Sequence, residues 1–192
     1  MKKLLLGLAL SAVCAAPAFA ALKAGDMAPD FTAQGSLGGK PFTFNLKDAL
    51  KKGPVVVYFY PSAYTGGCDL EAHTFAEESD KFAAAKSTII GVSADDLGRL
   101  TKFSADPSFC AGKFPIASDA DTKIAQSYKL NVTQRAGAKD VNKDDINHAF
   151  IERVTFVVGQ DGKILATLSS KDDGLTPDQH VDKSLAIVTA SK

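Results

Sequence analysis

Runs of β-branched and aromatic residues recur along the chain and predict the strands of a sheet. The strongest runs are Val55–Tyr60, Thr88–Val92, Thr155–Val158 and Ile164–Leu168. The first two are short apolar runs, as expected of buried strands. The last two flank the turn Gln160-Asp161-Gly162 and therefore predict a hairpin of half-buried strands.

Weaker strand signals lie near the start and the middle of the chain. Asp30–Thr32 and Pro41–Phe44 flank the turn-rich stretch Gly35–Gly39, which predicts an N-terminal hairpin. Phe114–Ile116 is at best a short strand. The stretch Asn131–Asn147 is polar and rich in Lys and Asp, and its pattern assigns it no role.

Helical spacing of apolar residues follows each of the two buried strands. The first helix is predicted from Cys68 to about Ala85, with Leu70, Phe75, Glu78 and Phe82 at helical spacing and an acidic outer face. The second is predicted to begin near Asp95 and to end at Asp106-Pro107, because proline cannot continue a helix. Its inner side is predicted to consist of Leu97, Leu100 and Phe103.

Two further helices complete the pattern. Asp121–Tyr128 is predicted as a short helix, and Thr176 is the expected N-cap of the last one, with Pro177 and Gln179 following at favourable positions. Strands and helices thus alternate, and no repeat or linker divides them. The sequence predicts an α/β fold with a central mixed sheet flanked by helices, in the element order of a thioredoxin-like domain.

The first twenty residues have the three zones of a secretory signal peptide. Lys2-Lys3 precede an apolar stretch, Leu4–Ala16, and small residues follow at Ala18–Ala20. Cleavage is expected before Ala21, leaving residues 21–192 as a single domain exported to the bacterial periplasm. The apolar stretch is too short and wrongly flanked to be a membrane-spanning helix.

Charge excludes some partners. The chain has 22 basic and 22 acidic residues, and loss of the signal peptide would leave 20 and 22. This balance argues against nucleic acid or an anionic membrane as the main partner.

Two of the three cysteines, Cys68 and Cys110, would remain after cleavage at Ala21, since Cys14 belongs to the predicted signal peptide. In an oxidising compartment, a structural disulfide is one interpretation of such a pair. The surroundings of Cys68 favour another. It follows a buried strand, Pro61 and two glycines, and it leads a helix, where the peptide dipoles favour the thiolate. A reactive thiol with a lowered pKa is therefore expected.

The pattern Pro61-x-x-x-Thr65-x-x-Cys68 is similar to the active-site motif of the peroxiredoxins, which are thiol peroxidases. The resemblance extends from Ala28–Phe31 to the strand that follows Arg153. It implies that Cys68 attacks the peroxide and that Thr65 presents its hydroxyl to sulfur or peroxide. Pro61 would shield the thiolate, and Arg153 would supply the cation, for which its planar fork is suited.

Within that family the chain most resembles the Q-type, or bacterioferritin-comigratory, group, in which a Glu three residues after the first cysteine is usual. Glu71 occupies that position and is expected to orient the site through a hydrogen bond. Many members have the second cysteine five residues after the first, where this chain has His73. The resemblance therefore implies Cys110 as the resolving cysteine, as in members that have it on the next helix. A further difference from the family is Gly66, because other members often have proline at this position.

The catalytic cycle implied by this resemblance needs no cofactor and no metal. Cys68 would reduce a hydroperoxide and become a sulfenic acid, which would condense with Cys110 into a Cys68–Cys110 disulfide. A thioredoxin-like reductant would then reopen the disulfide. Because disulfide geometry requires Cα atoms within about 7 Å, the segments around both cysteines are expected to unwind during turnover.

Other interpretations of these residues remain. Thr65 would serve equally as an ordinary N-cap, and Arg153 as a surface partner of Glu152 or Asp161. His73, His148 and His180 are expected at the surface. As a whole, the protein could instead be a copper-binding metallochaperone that uses Cys68 and a histidine. A disulfide-exchange protein is disfavoured, because position 71 is Glu and the Cys-x-x-Cys motif is missing.

Overall fold

A computed structural model describes residues 20–191. The predicted signal peptide, apart from its last residue, lies outside the described residues. The strands are β1 (Thr32–Leu37), β2 (Lys40–Asn45), β3 (Val55–Phe59), β4 (Thr88–Ser93), β5 (Ile116–Ser118), β6 (Val132–Thr133), β7 (Phe150–Ile151), β8 (Val154–Val158) and β9 (Ile164–Ser169). The helices are α1 (Leu46–Leu50), α2 (Gly66–Ala84), α3 (Leu97–Ala105), α4 (Lys123–Ser127) and α5 (Pro177–Ala190).

Seven of these strands form one mixed sheet in the order β2-β1-β5-β4-β3-β8-β9. The pairs β3–β4 and β4–β5 are parallel, and the neighbours on either side are antiparallel. Strands β6 and β7 form a separate antiparallel pair. The predicted α/β architecture, its N-terminal hairpin β1–β2 and its closing hairpin β8–β9 are confirmed.

Side chains that alternate along β3 supply both faces of the sheet. Val55, Val57 and Phe59 pack in one apolar cluster with α1 and α4. Val56 and Tyr58 pack in the other with α2, α3 and α5. Because successive side chains of a strand point to opposite faces, a strand that is apolar throughout requires helices on both sides.

The register of the sheet brings three chain segments to one edge. Phe59, the last residue of β3, pairs with Val92 of β4 and with Val154, the first residue of β8. The carboxyl ends of β3 and β4 and the amino end of β8 therefore meet. The loop before Cys68, the residues after Ser93 and Arg153 all emerge there.

Several element boundaries differ from the sequence-based prediction. Helix α2 begins at Gly66 rather than Cys68, and α4 is shorter than predicted at both ends. The short strand in the middle of the chain is Ile116–Ser118, displaced from the predicted Phe114–Ile116. Helix α3 ends at Ala105, as predicted from Pro107. None of the helices within residues 20–191 combines the length and apolar character needed to cross a membrane.

Two leucines that were predicted to lie on inner helix faces are exposed. Leu70 of α2 is 46% exposed and Leu97 of α3 is 39% exposed. In α2, the residue that faces inward next to Leu70 is the charged Glu71, which is fully buried. The acidic residue takes the inner position because it meets a buried cation, a partner that helical periodicity does not reveal.

Candidate active site

Cys68 lies in the first turn of α2, where the loop from β3 enters the helix. The backbone N–H groups of Cys68 and Asp69 both donate to the carbonyl of Thr65, at 2.7 and 2.9 Å. Tyr64 precedes this turn with φ of 57°, a left-handed conformation that is uncommon outside glycine. The loop therefore reverses sharply before α2, and Cys68, in the first turn of this helix, is only 2% exposed.

Arg153 reaches Cys68 from the amino end of β8. Its Nη2 donates to the Cys68 sulfur at 3.1 Å, and its Nη1 donates to Oε2 of Glu71. A Cβ at Gly67 would lie 3.3 Å from that Nη2, so the glycine leaves room for the guanidinium. The alternative in which Arg153 pairs with Glu152 or Asp161 is wrong, and the guanidinium bridges Cys68 and Glu71 instead.

Thr65 is the N-cap residue of α2, but its side chain makes no capping hydrogen bond. Its hydroxyl donates to the Ser62 carbonyl at 2.7 Å, next to Cys68. The interpretation of Thr65 as an ordinary N-cap side chain is therefore wrong. Pro61 is half-buried where β3 turns into the loop. Cys68, Thr65, Arg153, Glu71 and Pro61 are thus brought together at one edge of the sheet.

The pKa of Cys68 is raised, contrary to the expectation from its place at a helix start. Burial raises the pKa of the Cys68 thiol, while the Arg153 charge, the Ser62 backbone and the Thr65 side chain lower it, and burial outweighs them. The same burial raises the pKa of Glu71 to about 7, against the attraction of Arg153. The guanidinium of Arg153 therefore contacts two acids, Cys68 and Glu71, and burial raises the pKa of both.

Cys110 lies in the turn that follows α3 and is fully buried. Both cysteines are free thiols, and both belong to the apolar cluster on the α2 face of the sheet. Burial raises the pKa of Cys110 far above its ordinary value, and the carboxylates of Asp106 and Asp69 raise it further. Cys110 is therefore a protonated thiol in this conformation.

The turn that carries Cys110 is tied to the active-site loop by aromatic side chains. Phe109 stacks on Phe103 of α3 with ring centres 4.9 Å apart, and its ring meets that of Tyr64 edge-on at 5.4 Å. The Tyr64 ring also contacts Phe103 at 5.1 Å. These three rings hold the segment around Cys110 against the segment before Cys68.

His180 does not lie at the surface, so that expectation is wrong for it, and His148 is half-buried. His180 of α5 is fully buried between the hydroxyls of Thr155 and Ser170, at 2.9 and 3.0 Å. Burial and the charge of Arg153 lower the pKa of His180 to about 4. A signal existed in the sequence, since His180 precedes the buried Val188 by eight residues and so shares its helix face.

His148, which is half-buried, bonds to the carboxylate of Asp95 at 2.9 Å. Its neighbours in the chain have no helical or strand pattern that would have indicated burial. The available signal was the polar pair Ser93 and Asp95 at the end of a buried strand beside β3. Only His73 is exposed as expected.

Among residues 20–191, no group of three His, Cys, Asp or Glu side chains is placed to hold a metal ion. The copper-binding alternative is not favoured by this finding or by the similarities to known proteins. Residues 24–167 match the model of the AhpC/TSA family.

The relatives of this chain are similar over most of their length. A putative peroxiredoxin, Bcp, of Helicobacter pylori is 34% identical, over 73% of this chain and 84% of its own. The solved structure of peroxidoxin BcpB from Mycobacterium tuberculosis has a TM-score of 0.73 and 29% identity, over 89% of this chain and 99% of that one.

A third similar protein is the bacterioferritin comigratory protein of Xanthomonas campestris, whose structure is described with alkyl peroxide reduction activity. It has a TM-score of 0.63 and 27% identity, over 82% of this chain and 90% of that one.

Proposed function

The chain belongs to the AhpC/TSA family, the peroxiredoxins, and is a thiol peroxidase of the bacterioferritin-comigratory (Q) type; we propose that Cys68 attacks the peroxide and that Cys110 resolves the product. The observation that supports the role of Cys68 best is the 3.1 Å contact between its sulfur and Arg153 Nη2. A guanidinium at this distance stabilises negative charge on sulfur and then on the departing oxygen.

The first step forms an S–O bond and breaks the O–O bond of the hydroperoxide. The Cys68 thiolate supplies the electron pair, the distal oxygen becomes the sulfenic acid, and the other leaves as an alkoxide or hydroxide that takes up a proton. The Thr65 hydroxyl is placed to donate to this oxygen or to sulfur, because it can turn away from the Ser62 carbonyl. Glu71 orients Arg153 through its bond to Nη1.

The second step joins Cys110 to Cys68. The Cys110 sulfur attacks the sulfenic sulfur, the S–O bond breaks, and the oxygen leaves as water. Both thiols are buried on different elements, so the start of α2 and the turn after α3 must open for this bond to form. A thioredoxin-type dithiol then reduces the Cys68–Cys110 disulfide and is itself oxidised.

For the substrate we propose organic hydroperoxides as well as hydrogen peroxide. Support comes from the alkyl peroxide reduction described for the similar Xanthomonas campestris protein.

The test is rapid mixing of the reduced protein with hydrogen peroxide, followed by mass spectrometry of the wild type, Cys68→Ser and Cys110→Ser. The wild type should consume one peroxide per chain and form the Cys68–Cys110 disulfide. Cys68→Ser should consume none, and Cys110→Ser should stop at a sulfenic acid and fail to turn over with a dithiol protein reductant. A wild type no faster than a free thiol would overturn the proposal, as would a Cys68→Ser variant of equal rate.

We also propose export to the bacterial periplasm, with residues 21–192 as a single domain that is a monomer or weak homodimer. The support is the charged, apolar and small-residue zoning of residues 1–20. The intact mass of protein recovered from the periplasm should correspond to a chain that begins at Ala21. Recovery only from the cytoplasm at full length would contradict export, and sedimentation of the same sample tests the oligomeric state.

A further inference from the structure

A second polar cluster lies behind the active-site loop, outside the residues assigned above. Its centre is Asp95, which follows β4 and is fully buried. Both oxygens of its carboxylate accept hydrogen bonds, and Arg99 Nε lies 2.9 Å from Oδ1. The donors are Ser62 Oγ at 3.1 Å, the Ala63 N–H at 2.9 Å, Ser93 Oγ at 2.7 Å and His148 Nε2 at 2.9 Å.

The cluster grips the loop that leads to Cys68. Asp95 binds the Ser62 hydroxyl and the Ala63 N–H, and Arg99 Nη2 donates to the Ala63 carbonyl at 2.7 Å. The Ser62 backbone in turn lowers the pKa of Cys68, and the Ser62 carbonyl accepts from the Thr65 hydroxyl. A backbone group that lowers a thiol pKa does so as a donor, through its N–H. The position of Ser62 therefore decides two interactions of the peroxide site.

The polar segment between α4 and β8 closes the cluster from outside. Asp140 accepts from Arg99 Nη2 at 2.8 Å, and the N–H of Val141 donates to the Tyr64 carbonyl at 2.9 Å. His148, at the end of this segment, reaches Asp95 directly. The stretch Asn131–Asn147, to which the sequence assigned no role, is thus bonded to the active-site loop through Val141 and to Arg99 through Asp140.

His148 must carry a positive charge to make the contacts it makes. Its Nδ1 lies 2.8 Å from the Ala149 carbonyl, which only accepts, and its Nε2 lies 2.9 Å from the ionised carboxylate of Asp95. A neutral ring would leave one nitrogen lone pair facing an acceptor. Ser62 Oγ, at 3.3 Å from Nε2, is already bonded to the same carboxylate and does not remove this conflict.

We propose that Asp95 is a positioning residue of the peroxide reaction, which holds the Ser62–Ala63 turn against Cys68 and is itself held by Arg99 and by protonated His148. The inference rests on the proposed role of Cys68. It gives Asp140, Val141 and His148 a part in holding the loop and makes the reaction sensitive to the proton on His148.

The direction of this sensitivity follows from the groups around the ring. The charged groups facing His148 are Asp95, from the end of β4, and Arg99, from α3; Phe150 covers one face of the ring. Burial lowers the pKa of His148, but the hydrogen bond and charge of Asp95 outweigh it and raise the pKa above the ordinary value. The ion pair with Asp95 is therefore present at low pH and is lost as the pH rises through the raised pKa.

Two measurements test the inference. The first is an NMR titration of the His148 ring in the Cys68→Ser background, which does not depend on activity. Both ring nitrogens should carry protons at neutral pH, and Asp95→Asn should lower the pKa of His148. A pKa that does not move when Asp95 is replaced would overturn the inference.

The second is the pH profile of the reaction between reduced protein and hydrogen peroxide. Asp95→Asn should slow this reaction roughly 10- to 100-fold, the range for a lost hydrogen bond to a charged group. Loss of the His148 proton should slow the wild type as the pH rises, and His148→Gln, which keeps a donor to Asp95 without a titrating proton, should lack this decrease. The matched control is Asp145→Asn, which breaks an exposed ion pair with Lys139 in the same segment and should leave the profile unchanged.

The outcomes separate this inference from the proposed function. A wild type that does not react with peroxide overturns both. A wild type that reacts rapidly, with Asp95→Asn showing the same rate and pH profile, overturns the positioning role alone. If Asp95→Asn does not fold, Ser62→Ala and His148→Gln decide the matter. Ser62→Ala removes one contact of the cluster and must change the rate, and His148→Gln removes the titrating proton and must change the pH profile.

Discussion

Cys68 and Cys110 are buried to almost the same degree in one apolar cluster, yet their electrostatic surroundings are opposite. Cys68 is 2% exposed and faces a guanidinium, a backbone donor and a hydroxyl. Cys110 is 0% exposed, and the charges that act on it are the carboxylates of Asp106 and Asp69. Burial raises the pKa of both thiols, but only Cys68 has groups that work against this effect.

The difference teaches that burial and reactivity are set by different parts of the site. Donors and a cation offset part of the solvation that a buried thiol loses, and Cys68 has these groups around it in the folded conformation. Cys110 has no such compensation and has to move before its sulfur becomes a nucleophile. The folded conformation therefore suits the first step of the proposed cycle and delays the second.

The largest expected effect comes from making Cys68 more like Cys110. Arg153→Met removes the cation 3.1 Å from the sulfur and should lower the rate constant with hydrogen peroxide about 100- to 1000-fold, the cost of losing one preorganised donor. The rate constant of Arg153→Lys should lie between those of Arg153→Met and the wild type, because an ammonium cannot bridge Cys68 and Glu71 as the guanidinium does. The measurement is stopped-flow kinetics of the reduced proteins.

The matched control for that experiment is Arg135→Met. Arg135 is exposed and stacks on Phe150, with its guanidinium 4.8 Å from the ring centre. It should keep the rate within about twofold of the wild type, as expected for a surface change. Equal losses in the two variants would mean that charge near Cys68 does not distinguish the cysteines.

A second, smaller effect concerns the pH dependence of stability around Cys68. Burial raises the pKa of Glu71 from 4.5 to about 7 and lowers the pKa of His180 from 6.5 to about 4. Between pH 4.5 and about 7, Glu71 is ionised in the unfolded chain and still protonated in the folded protein. Rising pH therefore lowers the stability of the fold over this range. Over the same range unfolded His180 holds a proton that folded His180 has lost, so rising pH favours the fold. The two contributions oppose each other in the wild type.

Glu71→Gln removes only the first contribution. The free energy of unfolding should then rise with pH between about 4.5 and 6.5 more steeply than in the wild type, by up to about 1.4 kcal/mol per pH unit for one proton. Urea denaturation across this range measures the slope. Glu77→Gln, on the exposed side of the same helix, should have the same slope as the wild type. Equal slopes in all three proteins would contradict the raised pKa of Glu71.

Local patterns predicted the fold, and the resemblance to the peroxiredoxins singled out the candidate site residues, but neither predicted how those residues meet. The β-branched runs located β3, β4, β8 and β9, and the motif around Cys68 singled out the loop. Glu71 could not be predicted as buried, because a carboxylate on a helix ordinarily faces water and its partner Arg153 lies 82 residues away. Local position at a helix start predicted a lowered pKa for Cys68, whereas burial, which depends on distant elements, raises it.

His148 shows the same limit more clearly. It lies in a polar stretch without periodicity, so surface exposure was the natural prediction. Its burial depends on Asp95, 53 residues earlier, and on the register that places the ends of β3 and β4 side by side. Contacts between segments that are remote in the chain set the electrostatics of this site, and propensities within each segment do not contain them.

The smallest expected effect tests what delays Cys110. Phe109→Ala removes the stack on Phe103 and the edge contact with Tyr64, each of which contributes about 0.5–1.5 kcal/mol beyond buried area. Easier opening of the turn should speed the step from sulfenic acid to disulfide by roughly 2- to 10-fold and leave the peroxide step unchanged, as quenched-flow mass spectrometry would show. Phe42→Ala, which loosens the opposite face of the sheet, should lower stability without this acceleration. A disulfide step that is unchanged or slower in Phe109→Ala would mean that the aromatic contacts are not what holds the two cysteines apart.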